Sequence, residues 1–156
     1  MAMTTVEDLR SFWVFDRLSA EQRSVIAAIA HDVEVPAGTR LFEEGQSARG
    51  CWLIRSGQVS LESVIPGRGS AVVQTLGRGD LLGWSWLVPP HHWHFSASAT
   101  TSVSAIELDT DRLRTIADED PALGYPIALA LLETVIGRLQ STRARLLDLY
   151  GSPRVR

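Results

Sequence analysis

A single cysteine in 156 residues is the first thing this chain is short of. Cys51 has no partner within the chain, so no intrachain disulfide can staple the fold, and cysteine usage gives no sign of export. Its neighbours Trp52, Leu53 and Ile54 point to a buried thiol rather than a reactive one. Positive charge is not in excess either. The 15 Lys and Arg stand against 18 Asp and Glu, a formal net charge of −3, whereas a dedicated nucleic-acid binder normally carries a basic face. No uninterrupted apolar run approaches the roughly 18 residues that a membrane-spanning helix needs. The start, MAMTTVEDLR, lacks the basic segment and apolar core of a signal peptide. The expected location is therefore cytoplasmic, away from membranes. The alternation of strand, helix and strand that builds a parallel sheet is missing as well.

What is present is ordinary in bulk. Hydrophobic residues make up 45% and charged residues 21%, globular values, and the length suits one domain, expected over 1–156. Residues 1–30 read as helices: one short helix over 6–15, and a second opened by Ser19 in a capping box with Gln22. Val25, Ile26 and Ile29 give the second an apolar face. At His31 the period changes. Short strands run to residue 109, separated by the turns Pro36-Ala37-Gly38, Glu43-Glu44-Gly45-Gln46, Ser56-Gly57 and Pro66-Gly67-Arg68-Gly69. The fold class expected is mainly β with flanking helices. Its centre is an antiparallel β-roll, double-stranded β-helix or jelly-roll-like. Residues 110–151 turn helical again. Thr110 can cap 111–117, Pro121 opens a long helix at a position proline permits, Pro126 is expected to kink it, and Gly151 closes it.

Residues 79–99, GDLLGWSWLVPPHHWHFSASA, stand out within the roll. Too rich in Trp, His and Pro for a plain connection, they form a cassette between two strands, where binding residues usually sit. Trp84, Trp86 and Trp93 can stack on a planar ligand or close the roll as core, and both roles bury large area. His91, His92 and His94 are imidazoles, the commonest metal ligands, yet no cysteine or carboxylate follows them in the segment, so no metal is expected. The other role for these histidines is a solvated or anion-facing loop. Ser85, Ser96 and Ser98 look like a hydroxyl lining. Ser85 lacks the Gly-x-Ser-x-Gly elbow of an esterase nucleophile, so no enzyme is expected.

The long helix carries a heptad. Ala128, Leu132, Val135, Leu139, Thr142, Leu146 and Leu149 are spaced alternately four and three apart, the seam of a coiled coil. A second row, Ile127, Leu131 and Ile136, is placed to pack on the roll. A helix apolar on two faces needs two partners. One is its own domain and the other is expected to be a second copy, meeting it through Leu132, Val135, Leu139, Thr142, Leu146 and Leu149. The alternative is one wide stripe buried in a single core.

Four stretches in order carry a resemblance: PAGTRLFEEG at 36–45, WLIRSGQV at 52–59, LGRGDLLG at 76–83 and RLQST at 138–142. Together they resemble the cyclic-nucleotide-binding domain of the catabolite-activator and Fnr (Crp/Fnr) family. The resemblance implies a ligand cassette, a dimer helix and a non-catalytic signalling role. It also implies a glutamate for the sugar after the cassette glycine and an arginine for the cyclic phosphate after the proline. Trp84 stands at the first position and His91 at the second. Imidazole cannot replace a permanent, bidentate guanidinium, so ordinary cyclic AMP binding is not expected. The amides after Gly83 are expected to open a short helical turn, an anion-attracting arrangement. Arg138 is the helix arginine that meets the family's glutamate, here left free for an anion or paired on the surface with Glu133 or Asp148. Thr142 falls where the family's threonine meets the purine.

The expected ligand-binding set is therefore Gly83, Trp84, Ser85, Trp86, His91, His92, Arg138 and Thr142. No cofactor is expected, only a cyclic nucleotide or another anionic small molecule as ligand. The sequence ends at Arg156 without the helix-turn-helix that follows this domain in the family's transcription factors. A stand-alone module acting through an unidentified protein partner, not on DNA, is the expectation. The alternative is a protein-interaction domain whose pocket is filled by its own tryptophans.

Overall fold

A computed structural model of the chain describes residues 3–151; residues 1–2 and 152–156, the two ends of the expected domain, lie outside the described residues. Thr5 opens α1 (Val6–Arg10) with a capping box: its hydroxyl accepts from the Asp8 amide, and the Asp8 carboxylate accepts from the Thr5 amide. The single helix expected over 6–15 is divided. Phe12 is extended (φ −104°, ψ 124°), and a 3-10 turn at Trp13–Phe15 follows. The break lets Leu9, Phe12, Val14 and Phe15 all reach the core. α2 (Ala20–Ala27) opens with the expected Ser19–Gln22 capping box. Ile26 and Ile29 are buried, but Val25 is exposed, because neighbouring positions on a helix point about 100° apart.

Eight strands follow: β1 (Ala30–Val35), β2 (Arg40–Phe42), β3 (Cys51–Ser56), β4 (Val59–Ile65), β5 (Gly69–Leu76), β6 (Leu81–Leu82), β7 (Ser96–Ala99) and β8 (Val103–Leu108). They form two four-stranded sheets, β1-β8-β3-β6 and β2-β7-β4-β5, paired antiparallel throughout. The fold is the β-roll with flanking helices that the glycine spacing predicts. Leu53, Ile54, Val59, Leu61, Ala97 and Ile106 are buried in the core, and β3 is covered on both faces. At the β3–β4 hairpin Gly57 has φ +91°, and a Cβ there would meet the Ser102 carbonyl oxygen at 2.2 Å, so no other residue fits without moving the backbone.

α3 (Thr110–Glu119) is capped by Asp109, whose carboxylate accepts from the Arg112 amide, and not by Thr110. The buried Thr110 hydroxyl accepts from the Gly50 amide at 2.8 Å and ties the helix start to the β3 end of the roll. α4 (Pro121–Gly151) is 31 residues long with Pro126 inside it. Leu123, Ile127, Ala130 and Leu131 are buried, and the helix packs on α3 and on the 3-10 turn. Ile136, expected to pack on the roll, is exposed. Beyond it two arginines reach back: Arg138 donates to the Leu81 carbonyl, and Arg145 to the Val73 carbonyl at 2.6 Å. By length and mean hydropathy (1.4 over 18 residues) α4 meets the requirement for crossing a membrane, which a search for unbroken apolar runs misses. Its buried first half and its exposed heptad account for the same apolar content.

Candidate ligand-binding site

β6 delivers the chain to Gly83 at φ +97°. A Cβ there would lie 3.0 Å from the Gly50 carbonyl oxygen and 3.2 Å from the Trp93 ring, so glycine lets the cassette pass close to both. Residues 84–87 form one hydrogen-bonded turn, the Leu87 amide donating to the Trp84 carbonyl at 3.2 Å. This is less than the short helical turn expected there. The second half of the cassette is laced onto residues 45–48. The Gly45 amide donates to Trp93 O (2.8 Å), the Trp93 amide to Gln46 O (2.9 Å) and the Ala48 amide to His91 O (2.7 Å).

The cavity at the cassette is small, about 10 Å³, room for about one water. Phe42, Leu61, Trp93 and Phe95 form its apolar wall, and Gly83, Trp84, Ser85, His94 and Arg138 its polar one. Buried Ser85 is hydrogen-bonded through Oγ to His94 Nδ1 at 3.0 Å. The His94 ring stacks on Trp84, with centroids 4.8 Å apart and planes 26° from parallel. Trp84 is half-buried. Arg138 reaches in from α4 and donates Nη2 to Leu81 O. Burial pulls the Arg138 pKa below the usual guanidinium value, and the nearby Asp80 carboxylate opposes that shift. Among the described residues no carboxylate forms a salt bridge with it, and Glu133 pairs with Arg17 instead.

Four of the residues expected from the sequence therefore meet in one place: Gly83, Trp84, Ser85 and Arg138. The other four do not line this cavity. Trp86 is core, its indole donating to the Gly83 carbonyl at 3.1 Å. His91, expected in place of the phosphate-binding arginine, is turned away by the lacing to 45–48 and sits at φ +59°. It lines a separate cavity. His92 is exposed and bridges to Ser47. Thr142 is exposed on α4, its hydroxyl donating to Arg138 O at 2.9 Å. Trp93 is core too, its ring against Phe42 at 3.7 Å between centroids. Ser96 Oγ accepts from the Glu44 amide at 3.0 Å.

The residue missed as an anion-site candidate is His94, which carried no signal beyond the histidine cluster. Phe42 and Phe95 were legible only as inward strand positions. Among the described residues no three His, Cys, Asp or Glu side chains gather as metal ligands. Cys51 is buried, and burial pushes its thiol pKa up to about 12.

A two-sheet β-roll that presents a glycine-turned cassette to an arginine of the following long helix defines a ligand-sensing domain. The cyclic nucleotide-binding domain profile matches residues 32–120. The chain belongs to the cyclic nucleotide-binding domain family. It is 30% identical over 129 residues to a CRP-like cAMP-activated global transcriptional regulator of Mycobacterium tuberculosis, covering 81% of this chain and 56% of that protein. It thus spans about half the length of the curated relatives it matches. Its fold is similar to that of a candidate cyclic nucleotide-binding protein from Geobacter metallireducens, with TM-score 0.79 and 29% identity over 89% of this chain and 99% of that one. The N-terminal domain of a transcriptional regulator from Streptomyces coelicolor A3(2) matches with TM-score 0.64 and 26% identity, over 96% of this chain and 100% of that one.

Proposed function

We propose that the chain is a non-catalytic, ligand-sensing regulatory module, cytoplasmic and forming one domain over 1–156. It pairs with a second copy through α4 and passes its signal to a protein partner, not to DNA. The observation that carries this reading is Arg138. A guanidinium brought out of water into a cassette wall, with one backbone carbonyl as acceptor, retains donors for an anion. Gly83, Trp84, Ser85 and Arg138 form the ligand contact, joined by His94 in the place the sequence gave to His91. The ligand is a cyclic nucleotide or another anionic small molecule. Among the described residues no acidic side chain lines the cavity, so none there replaces the sugar-holding glutamate of the family. Trp86, His91 and His92 act behind the cassette, and Thr142 acts only from the seam between two copies.

The Trp84–His94 stack is part of the wall of a cavity too small for a nucleotide, so a ligand enters by displacing side chains of that wall. The cavity of about 10 Å³ favours a second reading, a pocket permanently filled by its own aromatic side chains and a domain that works by protein contact alone. Thermal melts with cyclic AMP, cyclic GMP and simple anions separate the two, in the parent chain and in Trp84→Ala. A ligand present at about 100 times its Kd adds roughly 2.7 kcal/mol to stability, a rise of several degrees. A rise in either protein that Arg138→Gln abolishes supports sensing at the cassette. No rise in both, with both folded, leaves the self-filled domain.

A further inference from the structure

His91 leads to a second cavity, of about 190 Å³, that shares no lining residue with the cassette cavity. Ser47, Arg49, His91, Asp111 and Arg114 line it, with the buried Trp86 behind them. We propose that this cavity is an anion site of its own, built for a phosphoryl group or a comparable small oxyanion. Arg49 and Arg114 bring two guanidinium groups to one space, against the single carboxylate of Asp111. Among the described residues Arg49 has no hydrogen-bond or ion-pair partner, and Arg114 uses one donor, at 3.3 Å, on the Trp86 carbonyl. His91 Nδ1 is a buried ring nitrogen with no partner among the described residues. Native proteins rarely leave such an atom unpaired, and a turn of the ring would offer it, in its N–H form, to an oxyanion in the cavity. The first turn of α3 adds the positive end of a helix, since Thr110 and Asp111 are also in the lining.

Size decides the ligand class. The cavity lies below the roughly 300 Å³ at which ordinary small-molecule pockets begin, so it encloses a head group and not a whole nucleotide. Two guanidinium forks favour the planar or tetrahedral oxygens of phosphate over a spherical halide. The site also has a route to the cassette. Arg114 holds the Trp86 carbonyl, and the Trp86 indole holds the Gly83 carbonyl at 3.1 Å, so an anion that draws Arg114 away acts on the turn at Gly83.

The test uses the full chain and inorganic phosphate as probe, with sodium chloride as the control at equal ionic strength. Phosphate should broaden its own phosphorus-31 resonance and raise the melting temperature in a saturable way, and chloride should do neither. Arg49→Gln removes an exposed guanidinium with no hydrogen-bond or ion-pair partner among the described residues, so the variant stays folded; it should weaken phosphate binding about 10-fold, the value of one charge-assisted contact. Arg112→Gln, an exposed arginine of the same helix outside this cavity, should change it less than about twofold. Equal weakening in both variants, or no saturable response in the parent, overturns the site. Glycerol 3-phosphate serves as a second probe. Tighter binding than phosphate makes an organic phosphate the natural occupant, and equal binding makes it the free ion. Arg138 is untouched in all of these, so failure here leaves the cassette reading standing.

Discussion

A thiol and a glycine give the sharpest expectations at the scale of single residues. The Cys51 pKa, ordinarily near 9.0, stands at about 12 in the folded state because burial disfavours the thiolate. The folded state therefore holds the proton that the unfolded state gives up. Stability from this group is complete below pH 9.0 and is lost as pH rises toward 12. Urea melts between neutral pH and about pH 10.5 should show a decline that Cys51→Ala flattens; equal slopes would mean that the thiol ionises as freely folded as unfolded. Gly83→Ala should cost about 1–2 kcal/mol for its left-handed backbone alone, and more from its approach to the Gly50 carbonyl and the Trp93 ring. A melt within about 0.5 kcal/mol of the parent would mean that the cassette shifts at no cost.

α4 holds the main expectation at the scale of elements. Leu132, Leu139, Leu146 and Leu149 are 54%, 65%, 53% and 81% exposed, a stripe in heptad register along one helix. Burying a leucine fully is worth about 1.5–3 kcal/mol, so a second α4 set against this stripe is the favourable partner. Sedimentation should give a dimer for the parent, and Leu139→Glu should weaken it at least 100-fold, since the seam would hold two unpaired carboxylates. If both proteins sediment as monomers, the stripe serves another purpose. This helix also marks where the sequence was readable. The heptad, the Ser19 capping box and the Ser56-Gly57 hairpin depend on residues a few positions apart, and each was legible. Gly83, Trp84, Ser85 and Arg138 followed from the resemblance and meet in one cavity. His91 and His94 differ only in contacts made across the fold. The pairing of 91–93 with 45–48 aims one imidazole at the cassette and turns the other behind it, and nothing local to PPHHWH encodes that pairing. The division of the first helix at Phe12 is likewise set by the core that Phe12 and Phe15 enter.

For the whole molecule the question is how tightly the domain holds a ligand of its family. On the proposed reading the cassette itself, residues 79–99, offers no glutamate for the sugar and no arginine for the cyclic phosphate, so two of the family's charged contacts are absent. Each is worth about 1.5–3 kcal/mol, so cyclic AMP should bind at least roughly 100-fold more weakly than to a complete cassette. Submicromolar affinity in calorimetry would refute this. The pairing of β1 with β8 has a kinetic consequence. Ala30 faces Leu108 and Val35 faces Val103, so the first strand of the roll waits for the last. The β4–β5 hairpin, with Ile65 opposite Gly69, closes over a few residues and can form early. Such late closure belongs to slow folders, in the millisecond-to-second range. On a ribosome the first sheet cannot assemble until Leu108 has emerged. Until then Val33 and Val35 are left without their partner strand and β3 is paired on one side only, by β6, and the nascent chain is at its most adhesive over that interval.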